Sequence, residues 1–121
     1  MKLVSLNVDS NGDSYFTEIE SGDAQNRPRQ MDVAYWDIWE TQPGHFQDFQ
    51  PMKEPCWMSV LNSSGKLEIT SSVGDTRNFA LGDSFLLQDL SGKGHALRTY
   101  GWGPCTVLRV FLKQSMSPTA T

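Results

Sequence analysis

The stretch "GDSFLLQDLSGKGHALR", residues 82–98, decides how this chain is read. It turns on Gly82-Asp83, runs apolar through Phe85, Leu86 and Leu87, and then presents His95 behind Gly92 and Gly94. Glycines take up positive φ and let the backbone pass close to other groups, so a histidine behind two of them can be aimed with little steric resistance. The short apolar run before the glycines and "HALRTY" after them read as two strands separated by a turn signal.

The same grammar extends in both directions. "KLVSLNV" and "SYFTEIE" alternate with period two around Asn11-Gly12, which predicts an N-terminal hairpin over residues 1–20. Residues 21–31 are polar and rich in Gly and Pro, the composition of a loop or mobile lid. Further strands are predicted at "DVAYWDIWE", "CWMSVL", "KLEITS", "TRNFAL", "SFLLQD", "HALRTY" and "CTVLRVFL", with NSSG, VGD, LGD, SGKG and GWGP as turns. Short strands at regular spacing argue an all-β barrel or sandwich, here over residues 32–112, followed by a flexible tail at 113–121. No stretch has a sustained helical period and no internal repeat is evident, so the 121 residues are expected to form one domain.

Composition narrows the functions. With 10 basic and 14 acidic residues the net charge is -4, and no stretch clusters Lys and Arg with aromatics, so nucleic acid is not expected as a partner. No apolar run approaches a membrane span and the start carries no long apolar leader, which predicts a cytoplasmic protein without membrane attachment. In a reducing compartment Cys56 and Cys105 are expected as free thiols.

From about residue 33 to residue 112 the order of strands and turns resembles the cupin superfamily, and the whole chain is similar to small single-domain cupins that begin with a hairpin. The clearest match is "GDSFLLQDLSGKGH". The resemblance implies a conical antiparallel β-barrel, the double-stranded β-helix or jelly-roll-like fold. The family's first motif has a glycine, five residues, His-x-His, three residues and Glu, a frame that falls on "GHFQDFQPMKEPC". Gly44 matches the glycine, but Gln50, Met52 and Cys56 stand at the three ligand positions, and only His95 keeps a ligand type. The usual Pro-x-Gly of the second motif is Leu90-x-Gly92, and the interval from Gly82 to His95 is longer than usual.

An amide oxygen and a thioether are weak ligands for iron, manganese or zinc, so the expected metal set is none and the expected cofactor is none. A soft Met52, Cys56 and His95 copper site, or donors added by His45 and Asp48 swinging inward from their loop or by a carboxylate borrowed from Asp37 or Asp48, is the metal-dependent alternative, which would make the protein an oxygenase or lyase. Strand alternation puts Gln50, Met52, Cys56 and Met58 on one side, and by the resemblance that side is the interior, faced by His95, Leu97 and Thr99. His95 is the expected proton donor and acceptor, because imidazole titrates near neutrality. Asp37 is the second expected catalytic group, a carboxylate shielded by Tyr35 and Trp39 and able to exchange a proton with His95. Cys56 could act as a nucleophile only as a thiolate. Tyr35 and Trp39 are expected to stack the ligand, whereas Asp89 and Arg98 read as fixing the SGKG loop.

The expected function is a metal-independent isomerisation, cyclisation or elimination on a small, mostly apolar organic molecule. A non-catalytic small-molecule binding protein is the rival from a different class. A homodimer is expected because both faces of "DVAYWDIWE" carry large apolar groups and only one can line a cavity.

Overall fold

The computed structural model describes residues 2–22, 25 and 27–117, and among them there is no helix. The strands are β1 (Lys2–Val8), β2 (Ser14–Glu20), β3 (Val33–Thr41), β4 (Phe46–Gln50), β5 (Cys56–Asn62), β6 (Lys66–Ser71), β7 (Thr76–Phe79), β8 (Ser84–Leu87), β9 (His95–Tyr100) and β10 (Cys105–Leu112). They form a six-stranded sheet in the order β2-β1-β8-β5-β10-β3 and a four-stranded sheet in the order β4-β9-β6-β7. From β3 onward the chain changes sheet at every connection except the β6–β7 hairpin. Successive strands therefore wind around one shared interior.

That interior follows from period-two alternation. Cys56, Met58 and Val60 of β5, Val107 and Phe111 of β10, and Phe85 and Leu87 of β8 point inward, where they meet Leu67 and Ile69 of β6, Phe79 of β7 and Leu97 of β9. Fully burying an aliphatic or aromatic side chain contributes about 1.5–3 kcal/mol, so this layer is the main source of stability. Phe79 stacks on Phe85 at 3.9 Å between centroids, one ring from each sheet. Thr41 and Thr99 share a buried hydrogen bond of 2.8 Å, which satisfies a hydroxyl from each sheet.

Four features go beyond what the sequence led one to expect. The strand β4 was not predicted, because "FQDFQ" lacks apolar alternation and its pairing with β9 shifts register between Gln47 and Gln50. The arrangement is not wholly antiparallel: β1 runs parallel to β8, with Leu6 opposite Leu87, which docks the N-terminal hairpin onto the large sheet. The tail is anchored as far as Ser117. Gln88 donates from Nε2 to the Met116 carbonyl at 3.1 Å and accepts from the Met116 amide at 2.7 Å, and the Met116 side chain is buried. Residues 118–121 of the expected tail lie outside the described residues.

The fourth is the placement of the segment expected as a loop or lid. Met31 packs on the second apolar cluster, with Leu3, Ile19, Leu86, Leu112 and Met116, on the outer side of the large sheet. Arg29 donates to the Glu20 carbonyl at 2.9 Å and to Ser117 Oγ at 2.9 Å, fastening the segment to β2 and the tail. These residues serve as an outer cover. Positions 23, 24 and 26 of the expected lid lie outside the described residues.

Candidate functional site

The glycine loop of residues 91–94 is built to place His95. Gly92 has φ 78° and lies against the backbone of Gly12, where a Cβ would clash. Lys93 donates its amide to the Gly12 carbonyl at 2.8 Å and its ammonium to Asp13 Oδ1 at 2.8 Å. Ser14 Oγ donates to the Gly94 carbonyl at 2.7 Å. Gly94, at φ 74°, lies so close to the Gln50–Pro51 backbone that only a residue without a side chain fits. The N-terminal hairpin and the end of β4 thus grip the loop from two directions, and His95 enters β9 with its ring fully buried.

His95 Nδ1 lies 2.6 Å from Asp89 Oδ2, and the two side chains are 1% and 0% exposed. Asp89 follows β8, and its carbonyl accepts from the Met52 amide at 2.9 Å, so the carboxylate is held by its own backbone. A carboxylate can only accept. With Asp89 ionised, Nδ1 carries the proton, and in the neutral ring Nε2 holds the lone pair. Among the described residues Nε2 makes no hydrogen bond, yet the only fully buried side-chain N or O atom without a partner is Asp89 Oδ1. With the side chain 1% exposed, Nε2 keeps only a trace of accessible surface, at the inner end of the cleft that His95 lines. Asp89 was expected to fix the loop, and its side chain instead orients the histidine.

The cleft, of about 220 Å³, opens between the sheets beside β3 and β4. Of the residues singled out from sequence, it brings together Tyr35, Trp39, Gln50, Met52, Met58, His95 and Leu97. It adds Gln47, Pro51, Lys53, Glu54, Arg109 and Phe111, none of them expected as a catalytic or ligand-binding residue. Tyr35 stacks on Phe111 at 4.5 Å, and its hydroxyl donates to Glu54 Oε2 at 2.8 Å, closing part of the rim. That bond raises the Tyr35 hydroxyl above its ordinary range. The Tyr35, Asp37, Trp39 face of β3 is the inner one, while Trp36 and Ile38 point outward.

Two of the expected site residues have different surroundings from those foreseen. Asp37 accepts from Arg109 Nε at 2.8 Å and from Nη2 at 2.7 Å, a two-pronged ion pair across β3 and β10. Both its oxygens are occupied by a guanidinium, so its proximal partner is Arg109, and the group beside His95 is Asp89. The bond to Asp37 raises the Arg109 pKa further. Cys56 is completely buried in the core and does not line the cleft. Burial pushes its thiol up to about 12, with the Arg109 charge pulling the other way and losing, so it is a small apolar filler and no nucleophile. Cys105 is likewise buried and free. Arg98 lies over the Phe46 ring at 4.6 Å.

A family model for the EutQ-like cupin domain matches residues 28–100. The chain belongs to the EutQ-like cupin family. The cupin fold is also shared by a cupin domain from Bordetella pertussis Tohama I, at 12% identity and TM-score 0.51 over 93% of this chain and 93% of that one. A putative ethanolamine utilization protein Q from Salmonella typhimurium LT2 matches at 12% identity and TM-score 0.51, over 95% of this chain and 98% of that one. The polyketide cyclase RemF from Streptomyces resistomycificus matches at 16% identity and TM-score 0.53, over 90% and 73%. No curated protein matches the sequence. At these identities the likeness extends to fold alone.

Cupins of the metal-binding kind require several imidazole and carboxylate donors converging on one point, and the residues of this cupin do not fit that requirement. Among the described residues no three His, Cys, Asp or Glu side chains come together in a way that could hold a metal ion. His95 offers a single nitrogen, Nε2, while Gln50 and Met52 offer only an amide and a thioether and the Cys56 thiol stays protonated in the core.

Proposed function

We propose that this cupin is an enzyme that moves a proton on a small organic molecule, without a metal or other cofactor, through the His95 Nε2 at the inner end of the cleft. The substrate's flat apolar body lies against Tyr35, Trp39, Phe111, Met52 and Met58, and its polar groups meet Gln47, Gln50 and Arg109. Nε2 takes a proton from the substrate, and the imidazolium that forms is stabilised by the Asp89 carboxylate on its other nitrogen. Returning that proton to a second substrate atom gives an isomerisation, and returning it to a leaving group gives an elimination. A ring closure uses the same exchange. The observation that carries this reading is the buried His95–Asp89 bond of 2.6 Å. A polyketide cyclase on the same fold, RemF, supports the compatibility of the fold with such chemistry.

The test is to identify small molecules retained by the purified protein, incubate each with it in deuterated water, and follow deuterium entering the molecule by mass spectrometry. Exchange or conversion that His95→Ala removes is the expected result. A molecule that binds saturably with neither exchange nor conversion would instead make the protein a carrier.

We also propose that two copies associate through the outer face of the large sheet, in a compartment without oxidation of the thiols, the cytoplasm. Trp36 and Ile38 are 64% and 60% exposed there, beside Val110 and Leu108 on the adjacent strand. Light scattering at tens of micromolar should give twice the chain mass, and Trp36→Glu should halve it. A monomeric mass for the unaltered protein would refute the association.

A further inference from the structure

The guanidinium of Arg109 is held in an unusual way for a cross-strand ion pair. Asp37 accepts from Nε and from one Nη2 hydrogen, which occupies the side of the fork. The end of the fork, formed by Nη1 with the second Nη2 hydrogen, has no protein acceptor among the described residues. The plane is clamped: its central carbon lies 4.9 Å from the Trp39 ring centroid and 5.1 Å from that of Phe111. Arg109 lines the same cleft as His95 and its side chain is 26% exposed. A pair serving the fold alone is complete once the charges meet. Here aromatic rings and a carboxylate together hold a planar set of donors with one edge unused.

We infer that the free edge of Arg109 is an oxyanion subsite, and that the ligand of the cleft carries a planar two-oxygen anion, a carboxylate or an enolised dicarbonyl, on an aromatic or otherwise flat body. The inference rests on the reading of the cleft as a small-molecule site and names what enters it. A two-oxygen anion matches the parallel N–H bonds of a guanidinium edge, while the half-exposed Tyr35 ring and the neighbouring Trp39 receive the flat body. Selectivity comes from direction rather than from net field, because Arg109 and Lys53 are balanced by Asp37 and Glu54. The subsite therefore distinguishes a carboxylate from a neutral amide of the same shape.

Benzoate and benzamide are the probes, titrated against the full chain with tryptophan fluorescence and the arginine side-chain NMR signals as readouts. Benzoate should saturate in the millimolar range and shift the Arg109 guanidinium signals, with benzamide weaker by roughly tenfold or more. Arg109→Lys keeps a cation beside Asp37 but has no fork, and should weaken benzoate by about tenfold or more while leaving benzamide unchanged. Asp37→Asn leaves the fork in place and removes a competing negative charge, so benzoate should bind at least as tightly. No turnover enters these measurements, so failure of the His95 chemistry leaves them standing. Equal affinity for the two probes, unchanged benzoate binding by Arg109→Lys, or no saturable benzoate binding would each overturn the inference.

Discussion

Asp89→Ala should be among the costliest single substitutions in this protein, for a reason specific to the bond it breaks. The Asp89–His95 contact is 2.6 Å long and both side chains are buried. A hydrogen bond to an ionised group contributes about 1.5–3 kcal/mol, and the imidazole N–H left without an acceptor costs about 1–3 kcal/mol more. One effect runs the other way: Asp89 Oδ1 has no partner, so the substitution also relieves a desolvated oxygen. The balance is a loss of about 3 kcal/mol, at the lower end of what breaking a buried pair costs. His95→Leu strands the carboxylate instead and should cost at least as much. Removing both together leaves no orphan, so the double variant should lose less than the sum of the singles by about 2 kcal/mol. Urea unfolding of the four proteins, at constant denaturant slope, measures this cycle. Additivity of the two single losses within about 0.5 kcal/mol would show that the pair is not an energetic unit and would remove the argument that Asp89 orients His95.

His95→Gln should keep ligand binding better than turnover, and both it and His95→Ala should lower turnover roughly a hundredfold or more, measured on the first substrate identified. Gly94→Ala forces a side chain onto a positive φ and into the Gln50–Pro51 backbone, and a drop in the urea midpoint equivalent to at least about 2 kcal/mol is expected. The Cys56 thiol, raised from an ordinary 9.0 to about 12, stays protonated in the folded chain where the unfolded chain ionises. Stability therefore falls as pH rises through that window, by up to about 1.4 kcal/mol per unit, and a Cys56→Ala variant should lack that share of the fall in paired urea titrations. Gln88→Ala frees the Met116 backbone from both its bonds, and faster hydrogen exchange at the Met116 amide should report it.

Much of the fold was legible because its strands obey period two. β1, β2, β6, β9 and β10 coincide with the segments "KLVSLNV", "SYFTEIE", "KLEITS", "HALRTY" and "CTVLRVFL". Where the period is broken the signal vanishes. β4 pairs through a bulge, and its Phe46 and Phe49 sit three residues apart, so "FQDFQ" carries neither alternation nor a helical face. The tail was illegible for a different reason. "SMSPTAT" has the composition of a frayed end, and its described part, residues 115–117, is docked by the Met116 side chain, the amide of Gln88 and Arg29, long-range pairings that no local pattern announces.

The site divides along the same line. Alternation along one strand is local: it grouped Tyr35 with Asp37 and Trp39 on one face of β3 without saying which face is inner, and the β3–β10 pairing is what turns that face toward the cleft. Ion pairing is not local. Asp37 and Arg109 are 72 positions apart and become neighbours only through the β3–β10 register, so an aspartate between two aromatics read as an isolated acid when its charge was already matched. Asp89 had the opposite problem. It lies six positions from His95, near enough to look like a brace for the intervening turn, and the turn is braced by Gly12, Asp13 and Ser14 from the N-terminal hairpin. With that grip supplied from outside, the Asp89 side chain is released from holding the loop and can face the imidazole. The hairpin thus belongs to the site it never touches: loosening the Ser14–Gly94 bond by Ser14→Ala should disturb the His95 ring signals in NMR before it lowers the unfolding midpoint, and undisturbed signals would show that β8 and β9 alone set the geometry.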